Sequence, residues 1–356
     1  MTWIEELAAR ADAVLPDYVS RYVHSVAGDG ACAREGVEDW DALRLRPSVL
    51  RDVSTIRTGV ELLGTPVASP IVVAPMAQQV AANPLGEVAT ARGAAAQGSL
   101  LGVSTNTGVR FADIAAEGAP WWYQVYLTAD RGITRTLVER AVEAGAAALV
   151  LTVDTTSLSV EHPEIHPPNW PDESLRFRTG NLSAAEVEAA GAGLGTNFAV
   201  GPDDIGWLAS ISGLPVLAKG VLTARDARRC VDAGAEGVVV STHGGRRLGN
   251  SVTSASALPE VVAEVGGECE VHVDSGVRGG HHVVAALATG ARAVHVGRPV
   301  MWGLAAGGAQ GVADVLGRFR GELETTLRQL GVASVLDLYP VDVVRRGSAG
   351  PHRGGR

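Results

Sequence analysis

From residue 66 onward the chain repeats one pattern, a short apolar run followed by an amphipathic stretch. The runs are Ile71–Ala74, Leu100–Ser104, Tyr123–Tyr126, Ala148–Val153, Pro215–Ala218, Val238–Ser241, Val271–Asp274 and Ala293–Gly297. Each is four to six residues long and mostly rich in β-branched side chains, the signature of a strand buried on both faces. Between them, Leu85–Gln97, Thr134–Ala144, Ala224–Ala233, Ser256–Val265 and His282–Thr289 carry helical spacing. Strands alternating with helices form a parallel sheet, and eight such units close into a (β/α)8 TIM barrel. An open doubly wound sheet would show a glycine-rich GxGxxG turn after its first strand, and none occurs there.

The flanking regions break the rhythm. Residues 3–25 read as two helices separated by Pro16, the first burying Ile4, Leu7, Ala8, Ala11, Val14 and Leu15, the second carrying Tyr22. From Gly28 to Thr65 the pattern is irregular, with a strand pair expected at Val53–Arg57 and Val60–Leu63. Residues 1–65 are therefore expected to form a helical layer on a barrel of residues 66–344. Residues 155–212 exceed what one crossover needs and are polar, so they are expected to be a lid, with a short helix at Ser183–Ala190. The last helical pattern, Val312–Leu330, packs outside the barrel, and the tail 345–356 (RRGSAGPHRGGR) is expected to be disordered.

Composition narrows the partners. The net charge of −9 argues against nucleic acid and anionic membrane. No run of eighteen apolar residues is present, and Met1–Trp3 leads directly into the acidic pair Glu5–Glu6, not into a signal peptide. Cys32, Cys230 and Cys269 lack metal or CxxC spacing, which fits a reduced, cytoplasmic protein without a metal site. Among the 30 basic residues only Lys219 is a lysine. A composition drifted so far towards arginine retains an ammonium where the chemistry needs one.

In barrels the chemistry sits at the C-terminal strand ends. Standing there are Ala77, Ser104, Gln124 and Tyr126, Thr152 and Asp154, Lys219, His243 with Arg246, Asp274 with Arg278, and Gly297 with Arg298. The last two ends, VDSGVRGG and VGRP, combine exposed backbone N–H groups with arginines after strands seven and eight, the favoured phosphate position. Lys219 suits stabilisation of negative charge on a reduced flavin ring, with Ser104, Gln124 and Thr152 as hydrogen-bonding partners; a Schiff-base role is the competing reading. A phosphate at one side and a ring across the mouth fit FMN better than a dinucleotide. His243 and Asp154 read as a base and its orienting carboxylate, Tyr22 and Tyr126 as partners for a substrate oxygen, and Arg246 as a carboxylate clamp.

The segments LPVLAKGVLTARDA, VVVSTHGGRRL, VDSGVRGG and VGRPVMWGLAAGG resemble the FMN-dependent 2-hydroxy acid oxidase and dehydrogenase family, over most of residues 14–340. The resemblance implies an FMN enzyme acting on compounds such as glycolate, lactate or mandelate. It implies His243 as base with Asp154, Tyr22, Tyr126 and Arg246 around the substrate, and Lys219, Ser104, Gln124, Thr152, Arg278, Gly297 and Arg298 around the flavin. It also implies a homo-oligomer, a tetramer in many members, with oxygen or a carrier as electron acceptor.

Several positions depart from the family pattern. Glu161 stands where a carboxylate-clamping arginine is expected, which makes it a candidate substrate contact; Arg176 or Arg178 is a candidate replacement. Thr242, Gly249 and Met76 replace the usual Asn, Asp and Thr. The departure at Glu161 opens an alternative: the same flavin chemistry on a non-carboxylate or amine substrate in natural-product biosynthesis. The mycofactocin-pathway flavoenzyme is a precedent in the family. A non-redox FMN isomerase would want a diphosphate pocket and a metal site, which the strand ends do not supply. A flavin-binding protein that has lost catalysis is contradicted by the complete His243–Asp154 pair.

Overall fold

The computed structural model describes residues 1–157 and 180–346. Eight parallel strands close into a barrel. In chain order they are β1 (Ile71–Met76), β2 (Leu101–Ser104), β3 (Trp121–Val125), β4 (Leu149–Thr152), β5 (Val216–Val221), β6 (Gly237–Val240), β7 (Glu270–Val273) and β8 (Ala293–Val296). Closure is made by β8 on β1, with Val294 opposite Ile71 and Val296 opposite Val73. The apolar runs thus fall on the strands, and helices such as Gly86–Gln97, Arg131–Glu143 and Ala224–Asp232 lie outside. Val72, Trp122, Val150, Leu217, Val239 and Ala293 fill the barrel interior, while the alternate residues pack outward on the helices. That two-sided burial is why the strands read as continuous apolar runs.

Two register shifts bear on the site. In β1 the ladder slips between Val73 and Met76, around Pro75, which has no N–H to donate. In β5 it slips between Lys219 and Val221, around Gly220. Gly220 has φ 109°, and a Cβ there would lie 2.4 Å from that of Asp154. Only glycine lets the two strand ends come this close.

The expected strand pair before the barrel needs correction. Val60–Leu62 pairs with Thr65–Val67, not with the Val53–Arg57 segment. The two-residue turn Leu63–Gly64 has positive φ at both positions, the geometry a tight hairpin requires. Leu62 and Val67 join the interior cluster, so this hairpin plugs the barrel's N-terminal end. The segment read as irregular also contains a helix, Ala31–Asp41, whose buried side is Cys32, Gly36 and Trp40. Its small residues made the helical stripe faint in the sequence.

The N-terminal helices fall as expected, at Trp3–Asp12 and Asp17–His24. The first is capped by a Thr2–Glu5 box, and its Trp3 ring meets Phe319 edge-on at 5.7 Å. The C-terminal helix Arg298–Leu330 starts earlier than its sequence pattern and is broken at Gly308 (φ 58°, ψ −140°). Arg345, assigned to the tail, instead ends the strand Val343–Arg345, which pairs with Leu43–Leu45. Within 155–212, the expected lid, residues 158–179 lie outside the described residues, among them Glu161, Arg176 and Arg178. The remainder contains the helix Ala184–Ala190, and Asp203–Ser212 is the outer helix that leads into β5. Among the described residues no helix is long and apolar enough to cross a membrane.

Candidate active site

The C-terminal strand ends surround a cavity of about 680 Å³, within the usual range for a small-molecule site. Its wall includes Tyr22, Ala77, Ser104, Gln124, Tyr126, Thr152, Lys219, His243, Arg246, Asp274, Arg278, Gly297 and Arg298. Residues more than 250 positions apart in the chain thus converge on one mouth. Asp154 stands directly behind this wall, against His243.

After β6 the backbone turns through three consecutive left-handed residues, His243, Gly244 and Gly245, with φ of 56°, 70° and 74°. For histidine this conformation is costly, on the order of 1–2 kcal/mol. It is held by Ser241 Oγ accepting from the His243 N–H at 3.0 Å and Ser275 Oγ accepting from the Gly244 N–H at 3.0 Å. A Cβ on Gly245 would collide with Ala33 at 2.7 Å. The turn aims the imidazole across the mouth. Its Nδ1 lies 3.1 Å from both carboxylate oxygens of Asp154, and its Nε2 lies 3.4 Å from Tyr126 Oη.

The electrostatics fix the protonation pattern. Burial pushes the His243 pKa down, and the Asp154 charge and hydrogen bond only partly oppose it, so the ring is neutral near pH 7. Burial alone would raise the Asp154 carboxyl. The His243 ring, with help from Lys219 and Arg247, outweighs it and holds the group well below the carboxylate range. A carboxylate facing Nδ1 places the proton there, leaving the Nε2 lone pair facing the cavity. Burial raises the Tyr22 phenol, which stays protonated.

A second arrangement lines the other side. Ser104 Oγ donates to Gln124 Oε1 at 3.0 Å, and Gln124 Nε2 donates to Thr152 Oγ1 at 2.9 Å, a buried polar row across β2, β3 and β4. Next on β5, Lys219 Nζ sits 3.0 Å from Asp274 Oδ2 and 2.9 Å from Ser241 Oγ. Burial would neutralise Lys219, but Asp274 and then Asp154 more than reverse this, so both partners of the pair remain charged. An ammonium hydrogen-bonded between an aspartate and a serine supports the charge-stabilising reading of Lys219 over the Schiff-base one. Ser241 and Ser275, which tie the ammonium and the carboxylate to the histidine loop, escaped the sequence reading because both serines lie inside strand-end turns.

At β7 and β8 two guanidiniums lie close to one another. Arg278 donates to the Val277 carbonyl at 2.8 Å, and Arg298 donates to the carbonyls of Val23, Ser25 and Gly244. Among the described residues neither has a carboxylate partner. Burial lowers Arg278 to about 10, and burial with repulsion from Arg246 and Arg278 lowers Arg298 to about 9. Two half-buried positive charges without an acidic partner among the described residues, beside the start of the helix Arg298–Leu330, could hold an anion such as a phosphate.

Comparison with known proteins agrees with this geometry. The sequence model of the FMN-dependent dehydrogenase family matches residues 11–345. The chain is 40% identical over 334 residues to an L-lactate oxidase of Nostoc sp., covering 89% of this chain and 91% of that one. It is 39% identical over 355 residues to a peroxisomal (S)-2-hydroxy-acid oxidase of Oryza sativa subsp. japonica, covering 96% and 95%. Among solved structures, a mandelate oxidase superposes with TM-score 0.85 at 35% identity, over 93% of this chain and 95% of that one. A mandelate oxidase variant carrying a C4a-OH-FMN adduct superposes with TM-score 0.86 at 33% identity, over 96% and 99%. The fold and cavity define a flavin-binding TIM-barrel oxidoreductase. The chain belongs to the FMN-dependent dehydrogenase family, whose members include the 2-hydroxy acid oxidases, and it is an FMN enzyme.

The residues present fit that cofactor. Arg278 and Arg298, which have no carboxylate partner among the described residues, suit its phosphate, and the Ser104–Gln124–Thr152 row with Lys219 suits a polar ring edge. The cavity wall also contains a charged residue that was not singled out from sequence. Arg247, the second arginine of GGRR, reaches Tyr126 Oη with Nη2 at 3.4 Å. The dipeptide was visible, but the pattern assigned a role only to Arg246.

Proposed function

We propose that this enzyme oxidises the CH–OH carbon of a 2-hydroxy acid to the 2-oxo acid, with His243 as the base. The observation that carries this reading is the His243 ring, held neutral with its Nδ1 on Asp154 and its Nε2 facing Tyr126 and the cavity. Nε2 takes the substrate hydroxyl proton. Asp154 stabilises the imidazolium that results, and its carboxylate fixes the tautomer before the proton moves. FMN, when bound, supplies the two-electron acceptor for the hydrogen on the same carbon. Lys219 keeps a positive charge in the wall of the cavity, which favours electron density arriving on the cofactor. Tyr126 Oη, 3.4 Å from Nε2, donates a hydrogen bond to the substrate oxygen, and Tyr22 and Arg246 bound the substrate from the N-terminal helix side.

The test is anaerobic mixing of the yellow holoenzyme with glycolate, L-lactate and mandelate, followed at the flavin absorbance band. Bleaching by at least one of them, lost in His243→Ala with FMN retained, is the expected result. If none of them bleaches the wild-type protein, the 2-hydroxy acid assignment fails.

A further inference from the structure

The loop after β7, residues 275–278, lines the cavity and carries Arg278, one of the guanidiniums that suit the cofactor phosphate. Its first two residues, Ser275 and Gly276, are left-handed, with φ of 71° and 81°. Such a turn is costly for a serine and needs support from outside the loop. The helix Ala31–Asp41 supplies it. Trp40 Nε1 donates to the Ser275 carbonyl at 2.9 Å. A Cβ on Gly276 would lie 2.2 Å from the Gly36 carbonyl oxygen, so backbone rests on backbone there.

The far end of the loop is held by a histidine. His282, in the first turn of the helix Gly280–Thr289, is 1% exposed. Its Nδ1 lies 3.1 Å from the Arg278 backbone N, and its Nε2 lies 2.8 Å from Asp41 Oδ1. A backbone N–H can only donate, so Nδ1 is the acceptor. Burial, with repulsion from His281, lowers the pKa of the ring to about 4, and Asp41 opposes this only in part. Near pH 7 the ring therefore carries one proton, which stands on Nε2 and is donated to Asp41. The Trp40 indole stacks on the same ring at 6.4 Å. Asp41, His281 and His282 also bring possible ligand atoms within 4.8 Å of one another. A metal, however, would need the Nε2 lone pair, and the Arg278 N–H at Nδ1 keeps the proton on Nε2.

We propose that His282, anchored on Asp41, is a positioning residue for the cofactor phosphate: it fixes the Arg278 backbone and thereby aims the guanidinium. The helix Ala31–Asp41 then serves the phosphate site from behind, through Trp40 at one end of the loop and Asp41 at the other. This goes beyond the 2-hydroxy acid reading and is independent of the substrate.

The experiment dilutes the full-length holoenzymes of wild type, His282→Asn and His282→Gln and follows released FMN by its fluorescence. Asparagine places an amide oxygen where Nδ1 stood and keeps an acceptor for the Arg278 N–H. Glutamine places its amide nearer the Nε2 position and leaves that N–H without a partner. The expected result is FMN held about 10- to 100-fold more weakly by His282→Gln, the effect of a buried donor left unpaired, and within about threefold of wild type by His282→Asn. Riboflavin, which lacks the phosphate, is then titrated into the same proteins and is expected to bind all of them alike. Unchanged FMN affinity in His282→Gln, or equal weakening in both variants, overturns the assignment. Riboflavin weakened as much as FMN also overturns it, because a deformed cavity loses both flavins together.

Discussion

Replacing Asp154 by asparagine keeps the volume and one acceptor beside His243 but removes the charge. In the structure both carboxylate oxygens lie 3.1 Å from Nδ1, and the side chain is only 12% exposed. When the ring takes the substrate proton, an ion pair forms at this separation. At an effective dielectric near 20, a pair about 4 Å apart is worth about 4 kcal/mol. The charge-assisted hydrogen bond alone accounts for about 1.5–3 kcal/mol of an interaction of this kind. Asparagine forfeits most of it, so about 3–5 kcal/mol of transition-state stabilisation disappears, or about 10²- to 10⁴-fold in rate. The assay is anaerobic stopped-flow reduction at saturating lactate, with the flavin spectrum confirming that FMN is retained.

The pH profile gives an independent check. A base works only when deprotonated, so the rate rises with pH through the His243 pKa, which burial places below the ordinary imidazole value. Asp154 is the main group raising that pKa. Its neutralisation moves the acid limb to still lower pH while the plateau falls. A plateau within tenfold of wild type, or a limb displaced upward, would refute the assignment of Asp154 as the partner of the base.

Two further predictions concern stability. Lys219→Met leaves Asp274 charged and buried, a loss of about 3–5 kcal/mol and a melting temperature lower by roughly 5–15 °C. Lys219→Met/Asp274→Asn should recover at least half of that loss in thermal denaturation, and a double variant no better than the single one would mean that the pair is not coupled. Glu87 is fully buried with both oxygens outside ordinary hydrogen-bond geometry. Burial, offset only in part by its own N–H and Thr107, lifts it from 4.5 to about 7. The folded state therefore holds an extra proton between those values, and the stability present below pH 4.5 is lost as pH rises through 7. Glu87→Gln mimics the protonated form. Thermal melts should show it stabilised at pH 8 by about 3 kcal/mol and close to wild type at pH 4.5.

The barrel was legible because buried parallel strands leave an unbroken apolar trace, and because the polar groups that interrupt it stand at one end of every strand. His243, Asp154 and Lys219 announced themselves in this way. What the sequence could not supply was pairing. Lys219 and Asp274 stand at separate strand ends in the sequence, and nothing in the pattern shows that across 55 positions they form one ion pair. The plug hairpin was paired with the wrong neighbour, since alternation tells that a segment is extended and not which strand it meets. The helix Ala31–Asp41 was lost because Gly36 and Cys32 carry little hydrophobic signal. Arg247 was invisible as a site residue because a second arginine in a loop has no periodicity to orient it, and only the left-handed turn at His243 to Gly245 aims it inward.

The solitary ammonium has a consequence for handling the protein. With 29 arginines and one lysine, which is 4% exposed, the folded surface presents no side-chain amine to an acylating or crosslinking reagent. Activated esters, glutaraldehyde and amine-coupling resins will find only an α-amino terminus. Acylation at Lys219 then reports how often the barrel mouth opens. Slow incorporation of one acyl group, counted by intact mass and accelerated by mild denaturant, becomes a clock for local unfolding at the cavity, with no engineered probe required.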